Sequence, residues 1–199
     1  MHTPVLLQAV IEALEIHDGG RYIDATAGEG GHLQAIAGKQ VQVLALDWDE
    51  QQLKILKEKF SGQKNIVFAA GNFAEIAVIA KRQNFIPVDG VLFDLGLSYQ
   101  QIKTSGRGFS YYNDQENLDM RIGGKGEKTA ADFLNLSSRA DLYRIFAGYS
   151  EEIKSAAIAN SIIKMRQNQP INQVGQLKRA IDQVIGRQDL RVYARIFQA

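Results

Sequence analysis

The period of the hydrophobic pattern changes once along the chain, and the change separates two kinds of structure. Over the first hundred residues short apolar runs alternate with stretches of helical spacing. The runs Tyr22–Ala25, Val41–Asp47 (VQVLALD), Asn65–Ala70 (NIVFAA) and Val88–Asp94 (VDGVLFD) are brief and rich in Val, Ile, Leu and Phe. Each is bounded by Gly, Asp or Asn, which predicts four buried strands. Between them, Gln51–Phe60 sets Leu53, Leu56, Lys57 and Phe60 along one side of a helix, and Phe73–Gln83 has similar spacing. Strands alternating with helices predict an α/β fold whose parallel sheet is built from right-handed crossovers.

After Leu97 the texture changes. Ser98–Lys128 is rich in Gly, Ser, Asn and Asp and contains RGFSYYND, NLDMR and GGKGEK without a sustained period, so a long ordered functional loop is expected. From Thr129 the spacing is helical. Ser137 and Ser138 are candidate N-caps, and Leu142, Ile145, Phe146, Tyr149 and Ile153 share one helix face. Further faces run through Ile158, Ile162 and Met165 and, beyond Pro170, through Leu177, Ile181 and Val184.

Composition narrows the chemistry. The 199 residues are 45% apolar, enough for a substantial core, and contain no cysteine, which excludes disulfides, thiolate zinc sites and cysteine nucleophiles. No apolar run approaches the roughly 18 to 20 residues that span a bilayer, and Met1-His2-Thr3-Pro4 does not resemble a signal peptide. A cytoplasmic location with no membrane partner is the resulting expectation. The net charge of +1 is unevenly placed: residues 1–102 hold 8 Lys and Arg against 12 Asp and Glu, and residues 103–199 hold 15 against 10. The second half is therefore the one suited to a polyanion, although a solvated helical exterior accounts for the same charges.

The stretch Tyr22–His32 (YIDATAGEGGH) places three glycines, Gly28, Gly30 and Gly31, in a turn between a strand and a helix. Asp47 follows Gly28 by 19 residues, close to the roughly 20 expected for a carboxylate that binds ribose hydroxyls. The dinucleotide fingerprint nevertheless fails in both registers, with Leu33 at the last small position in one and His32 at the middle glycine in the other. Asp24, four residues before Gly28, would repel a phosphate and suit an ammonium or sulfonium group. S-adenosylmethionine carries both cations and a ribose; a tight turn holding no ligand is the alternative. Asp94, in FDLGLS at the end of the fourth strand, should lie near the end of the first strand, where it could accept a proton. Its plainer reading is an N-cap or loop residue.

Taken together, these segments resemble those of the bacterial small-subunit (16S) ribosomal RNA cytosine-N4 methyltransferases. The matching stretches are HTPVLLQAV (His2–Val10), DATAGEGGH (Asp24–His32), LALDWD (Leu44–Asp49), GNF (Gly71–Phe73), VDGVLFDLGLS (Val88–Ser98), RGFS (Arg107–Ser110), LDMR (Leu118–Arg121), TAADFLN (Thr129–Asn135) and RIFQA (Arg195–Ala199). The resemblance implies a Rossmann-like class I methyltransferase using S-adenosylmethionine, with a helical substrate-binding domain inserted into the sheet. Residues 1–102 would form the cofactor-binding core, 103–190 the loop and helical insertion, and 191–199 the start of a return to the core. By position, Gly30, Gly31 and His32 would line the methionine and adenosine end of the cofactor, Asp47 its ribose, Phe73 the adenine, and Asp94 and Gln101 the remainder. The substrate would be a cytidine in the ribosomal decoding centre, and the partner the small subunit; the oligomeric state is left open.

Departures from the family pattern are Ser98-Tyr99-Gln100-Gln101 where it usually reads S-S-P-Q, and Val192-Tyr193-Ala194-Arg195 where it commonly reads P-A-T-R. The chain also stops at Ala199 where relatives continue, so the fourth strand is expected to be an exposed edge.

The residues agree with nitrogen as the target. Methylation of cytosine at C5 ordinarily needs a cysteine, leaving the exocyclic N4 as the easier cytosine position. Placement of N4 and an acceptor for its proton are then the main devices, with Asp94 or a carbonyl of Leu95–Leu97 as acceptor. No metal is expected, because His2, His17 and His32 lack ligand spacing. Candidate phosphate contacts are Arg107, Arg121, Lys125, Lys128, Lys154, Lys164 and Arg166. Phe109, Tyr111 and Tyr112 could stack on an unpaired base or pin the loop to the core. Arg187, Arg191 and Arg195 would form a cationic stripe on a continuous helix. Two rival functions stand beside this reading: a non-catalytic RNA-binding or assembly protein, and an NAD-dependent oxidoreductase.

Overall fold

The computed structural model describes residues 4–124, 126 and 128–199, with the backbone alone at 99 and 100. It divides into two compact units, Met1–Ser98 and Tyr99–Ala199. Among the described residues no helix is long and apolar enough to cross a membrane.

The first unit is an α/β layer structure. Four parallel strands, β1 (Arg21–Asp24), β2 (Gln42–Asp47), β3 (Ile66–Ala70) and β4 (Gly90–Leu92), lie in the order β3-β2-β1-β4. The predicted strands are therefore present, and the fourth is shortened to three residues. Val43, Leu44, Ala45 and Leu46, four consecutive residues of β2, are completely buried, because helices cover both faces of the sheet. On one face Tyr22, Val43 and Ala45 pack against Leu33 and Ile36 of α2 (Gly31–Ala37) and Leu53 and Leu56 of α3 (Glu50–Lys59). On the other, Ile23, Leu44 and Leu46 meet Ile79 and Ala80 of α4 (Ile76–Arg82) and Phe85. The predicted helix from Phe73 begins as a 3-10 turn, Phe73–Glu75, capped by the Asn72 side chain. An N-terminal helix, α1 (Leu7–Ala13), is not signalled by the pattern; Val10 and Ile11 pack its inner side against the first face.

From β1 the chain steps outward to β2 and β3, then returns to place β4 on the opposite side of β1. The connections thus diverge between β1 and β4, where open parallel sheets leave a crevice at the carboxyl ends of the strands. Register sets what lies there: Asp24 pairs with Ala45 on one side and Leu92 on the other. β4 is an edge strand, and Val91 is 37% exposed.

The second unit is helical. It contains α5 (Tyr99–Thr104), α6 (Ala130–Leu136), α7 (Arg139–Ser150), α8 (Ser155–Asn168), α9 (Val174–Ile185) and α10 (Leu190–Gln198). Leu142, Phe146, Ile158, Ile162, Leu177 and Ile181 are buried in one cluster, as their spacing predicts. Local capping fixes the starts: Thr129 and Asp132 form a reciprocal box on α6, Ser138 caps α7, and Asp189 caps α10. Ser137 instead ends α6. Ile153 is fully exposed, because α7 stops at Ser150 and Glu151 adopts φ 52°. Gly186, at φ 81°, breaks the expected arginine stripe: Arg187 lies in the link and pairs with Asp189, while Arg195 pairs with Glu152. Residues 191–199, expected to begin a return to the first unit, pack as α10 on the helical core through Val192, Tyr193 and Ile196.

The segment between α5 and α6 is ordered by backbone bonds. Asp119 and Met120 both donate to the Arg107 carbonyl, Leu118 donates to Asn172, and Asn117 forms an antiparallel bridge with Gln173. Buried Leu118 anchors it.

Asn135 joins α6 to the link before α9: its amide donates to the carbonyls of Ala131 and Ile171 and accepts from the Ile171 N–H at 2.9 Å. Because Ile171 is completely buried, Asn135→Ala strands its polar backbone. A loss of about 1–3 kcal/mol in urea unfolding followed by helical circular dichroism is expected.

Candidate functional site

Three carboxylates gather at the carboxyl ends of the central strands. Asp24 ends β1, Asp47 ends β2, and Asp94 follows β4 by two residues. The strands position the first two directly, and Thr26 positions the third: its Oγ1 accepts the Asp94 N–H at 2.7 Å, tying the loops after β1 and β4 together.

Asp24 is 1% exposed and makes one side-chain hydrogen bond, accepting the Thr26 N–H at 3.3 Å. Among the described residues no Lys or Arg pairs with Asp24, Asp47 or Asp94. Burial, with Asp47 and Asp94 adding repulsion, raises the Asp24 carboxyl from 3.8 to about 7. Held more tightly in the fold than in the unfolded chain, that proton contributes stability fully below about pH 4, and the contribution is lost as pH rises through about 7. A cation lodged beside Asp24 removes the penalty. Among the described residues no group of three or more His, Cys, Asp or Glu side chains is arranged to hold a metal ion.

Asp47 shapes the glycine turn as well as facing it. One of its oxygens accepts the Gly28 N–H and the other the Asp49 N–H, both at 2.8 Å. Burial raises its carboxyl above the usual value, against these hydrogen bonds. Each oxygen keeps a lone pair for a further donor such as a ribose hydroxyl. Gly28 and Gly30 take φ 49° and 78°, and Gly30 admits no side chain because a Cβ would meet Leu56 of α3 and Phe60, which caps its end, at 2.7 Å. Gly31 opens α2, and a Cβ there would stand 2.4 Å from Pro4.

His32, on the first turn of α2, is buried between two loops. Its Nε2 lies 3.1 Å from the Val5 carbonyl, and its Nδ1 lies 3.7 Å from an Asp94 oxygen. Phe73 and Phe93 meet edge to face with their centres 5.8 Å apart, although they follow the two edge strands. Four strands place those edges roughly 14 Å apart, so the two loops converge over the ends of β2 and β1. Both rings are more than a third exposed, leaving aromatic surface beside the acids.

The structure therefore brings together Asp24, Gly28, Gly30, Gly31, His32, Asp47, Phe73 and Asp94 in one unit. Gln101 is a buried residue of α5, in the other unit. Sequence reasoning missed Thr26 and Phe93. Each lies beside a residue that was chosen on charge, and neither hydroxyl nor phenyl carries a signal of its own outside the fold.

In the helical unit the basic candidates separate into two groups. Arg121 grips both oxygens of Asp119 and donates to Gly126, and this pairing lowers the Asp119 carboxyl. Arg166 donates to the carbonyls of Leu134 and Ser137 at 2.8 Å, closing the end of α6. Arg107 donates to the Arg121 carbonyl. Lys128, Lys154 and Lys164 are exposed, and Lys125 lies outside the described residues. Phe109 is half-buried. Tyr111 packs between Tyr193 and Phe197 at about 6.0 and 5.9 Å, whereas Tyr112 is 71% exposed. A cavity of about 800 Å³ between α6 and α7, with Lys128, Phe133, Leu136, Arg144 and Tyr149 among its walls, has no counterpart in the sequence pattern.

The likeness to known proteins runs along the whole chain. Proteins named ribosomal RNA small subunit methyltransferase H are 40% identical in Thermomicrobium roseum, 37% in Dictyoglomus thermophilum and 38% in Thermosipho africanus. These alignments cover 100%, 100% and 98% of this chain and 62%, 68% and 67% of the relatives, so the chain spans about two thirds of their length. Coclaurine N-methyltransferase bound to N-methylheliamine and SAH is only distantly similar, at 13% identity and a TM-score of 0.35 over 97% of this chain and 61% of that one. The model of the MraW methylase family matches residues 1–199, and the chain belongs to that family.

Proposed function

We propose that the protein transfers a methyl group from S-adenosylmethionine to N4 of a cytidine in small-subunit ribosomal RNA, at the decoding centre. The observation that carries this reading is Asp24, a carboxylate buried at the strand ends without a counter-charge among the described residues. The names of the relatives support RNA of the small subunit as the substrate.

When bound, S-adenosylmethionine supplies an electrophilic methyl on a sulfonium. Asp24 would offset the positive charge of the ligand, Asp47 would accept from ribose hydroxyls at the glycine turn, and Phe73 would offer its ring to the adenine. Asp94, half-exposed and held by Thr26, is placed to accept the proton that N4 loses. Because the amino lone pair is delocalised into the pyrimidine ring, the reaction would depend on holding N4 in line with the methyl group. The exposed Lys128, Lys154 and Lys164 are the cations available to RNA phosphates, and Tyr112 offers a face for stacking.

Two results test the reading. Asp94→Asn should leave folding intact and reduce methyl transfer to small-subunit particles by about 100-fold or more at saturating donor, measured with tritiated donor; an unchanged rate removes Asp94 from the mechanism. Because the ammonium of S-adenosylhomocysteine favours ionised Asp24, calorimetry should give an affinity that weakens by up to about tenfold per unit as pH falls below about 7. Asp24→Asn should weaken binding and flatten this dependence; a wild-type affinity that is flat from pH 5.5 to 8 contradicts the assignment.

A further inference from the structure

We propose that His32 is a positioning residue for the proton acceptor: its Nδ1 takes up, through Asp94, the proton released by the methylated amine. This inference rests on the methyl-transfer reading above and adds to it a second member of the proton path.

The geometry fixes the tautomer. A carbonyl oxygen only accepts, so the 3.1 Å contact to Val5 requires the proton of neutral His32 to reside on Nε2. Nδ1 then presents its lone pair toward Asp94, 3.7 Å away. The two acceptors face each other across a gap somewhat longer than a hydrogen bond, which a proton bridges once the half-exposed Asp94 side chain closes it. The buried ring is held by the Val5 carbonyl behind it, while the Thr26 hydroxyl fixes the backbone of Asp94 in front.

Charge supplies the reason for keeping the proton nearby. Among the described residues the charged side chain shown to act on Asp94 is Asp24 at the end of β1, and Asp47 at the end of β2 lies next to Asp24 in turn; both are acidic. In the transfer the N4 lone pair forms the new N–CH₃ bond, and the S–CH₃ bonding pair remains on sulfur, which becomes neutral. The positive charge moves to N4. Loss of the N4 proton leaves its bonding electrons on nitrogen, and passage of that proton to Asp94 and on to Nδ1 keeps one positive charge among the three carboxylates until product departs. The half-exposed face of Asp94 then returns it to water.

His32→Gln keeps a donor for the Val5 carbonyl but cannot take up a proton. In single-turnover methyl transfer to small-subunit particles across pH 5–9, this variant should bind S-adenosylhomocysteine within about threefold of wild type and react about 10- to 100-fold more slowly. A profile superimposable on that of wild type overturns the role of His32 alone, whereas a wild-type protein that transfers no methyl group overturns the activity itself. Should the variant fail to fold, ¹⁵N resonances of the wild-type imidazole decide: the Nε2–H tautomer is expected, with an Nδ1 signal that moves on Asp94→Asn. An Nδ1–H tautomer, or a signal that does not move, overturns the proposal.

Discussion

A carboxylate enclosed in protein without a positive neighbour among the described residues is the constraint on which the first unit turns. Raising Asp24 from 3.8 to about 7 corresponds to roughly 4 kcal/mol of disfavoured charge. That is a large part of the stability of an ordinary domain. The carboxylate cannot move to relieve it, because β1 is paired on both sides and its register places Asp24 between Ala45 and Leu92. Two further acids converge on the same place. The strand ends thus form a rigid seat of one sign, in which a ligand cation gains more than it would from flexible surface acids.

Rigidity reaches the loops through single atoms. The Thr26 hydroxyl joins the first and fourth strand ends, and Asp47 joins the glycine turn to the start of α3 by accepting from both Gly28 and Asp49. Each loop is held by a hydrogen bond to a neighbouring strand end, so the acids are placed by the sheet more than by their own chain segments. His32 extends this pattern by linking α2 to the residues before α1.

The helical unit uses its charges differently. Several arginines act within the fold: Arg121 on Asp119, Arg166 on the end of α6, and Arg195 on buried Glu152. A planar guanidinium satisfies two acceptors at once, which suits closing helix ends and pairing carboxylates. Lysines carry the outward charge of the candidate set, at positions 128, 154 and 164.

What the sequence determined by itself is what depends on neighbours along the chain. Alternation of VQVLALD-type runs with helical periods established the parallel α/β class, and the spacing of Leu142, Phe146, Ile158 and Ile162 identified the helical core. The glycines, Asp24 and Asp47 were legible because turn geometry and local charge constrain residue type over a few positions. Tertiary structure decided the rest. Ile153 fits the apolar period yet lies in water, because a left-handed residue at Glu151 ends the helix before it. Arg121 and Arg166 look like free cations until their partners are brought from other segments or folded back from their own. That Phe93 meets Phe73, and that His32 faces both Val5 and Asp94, follows from strand order. Contacts between segments tens of residues apart are set by packing and register, and neither quantity is written in a local pattern.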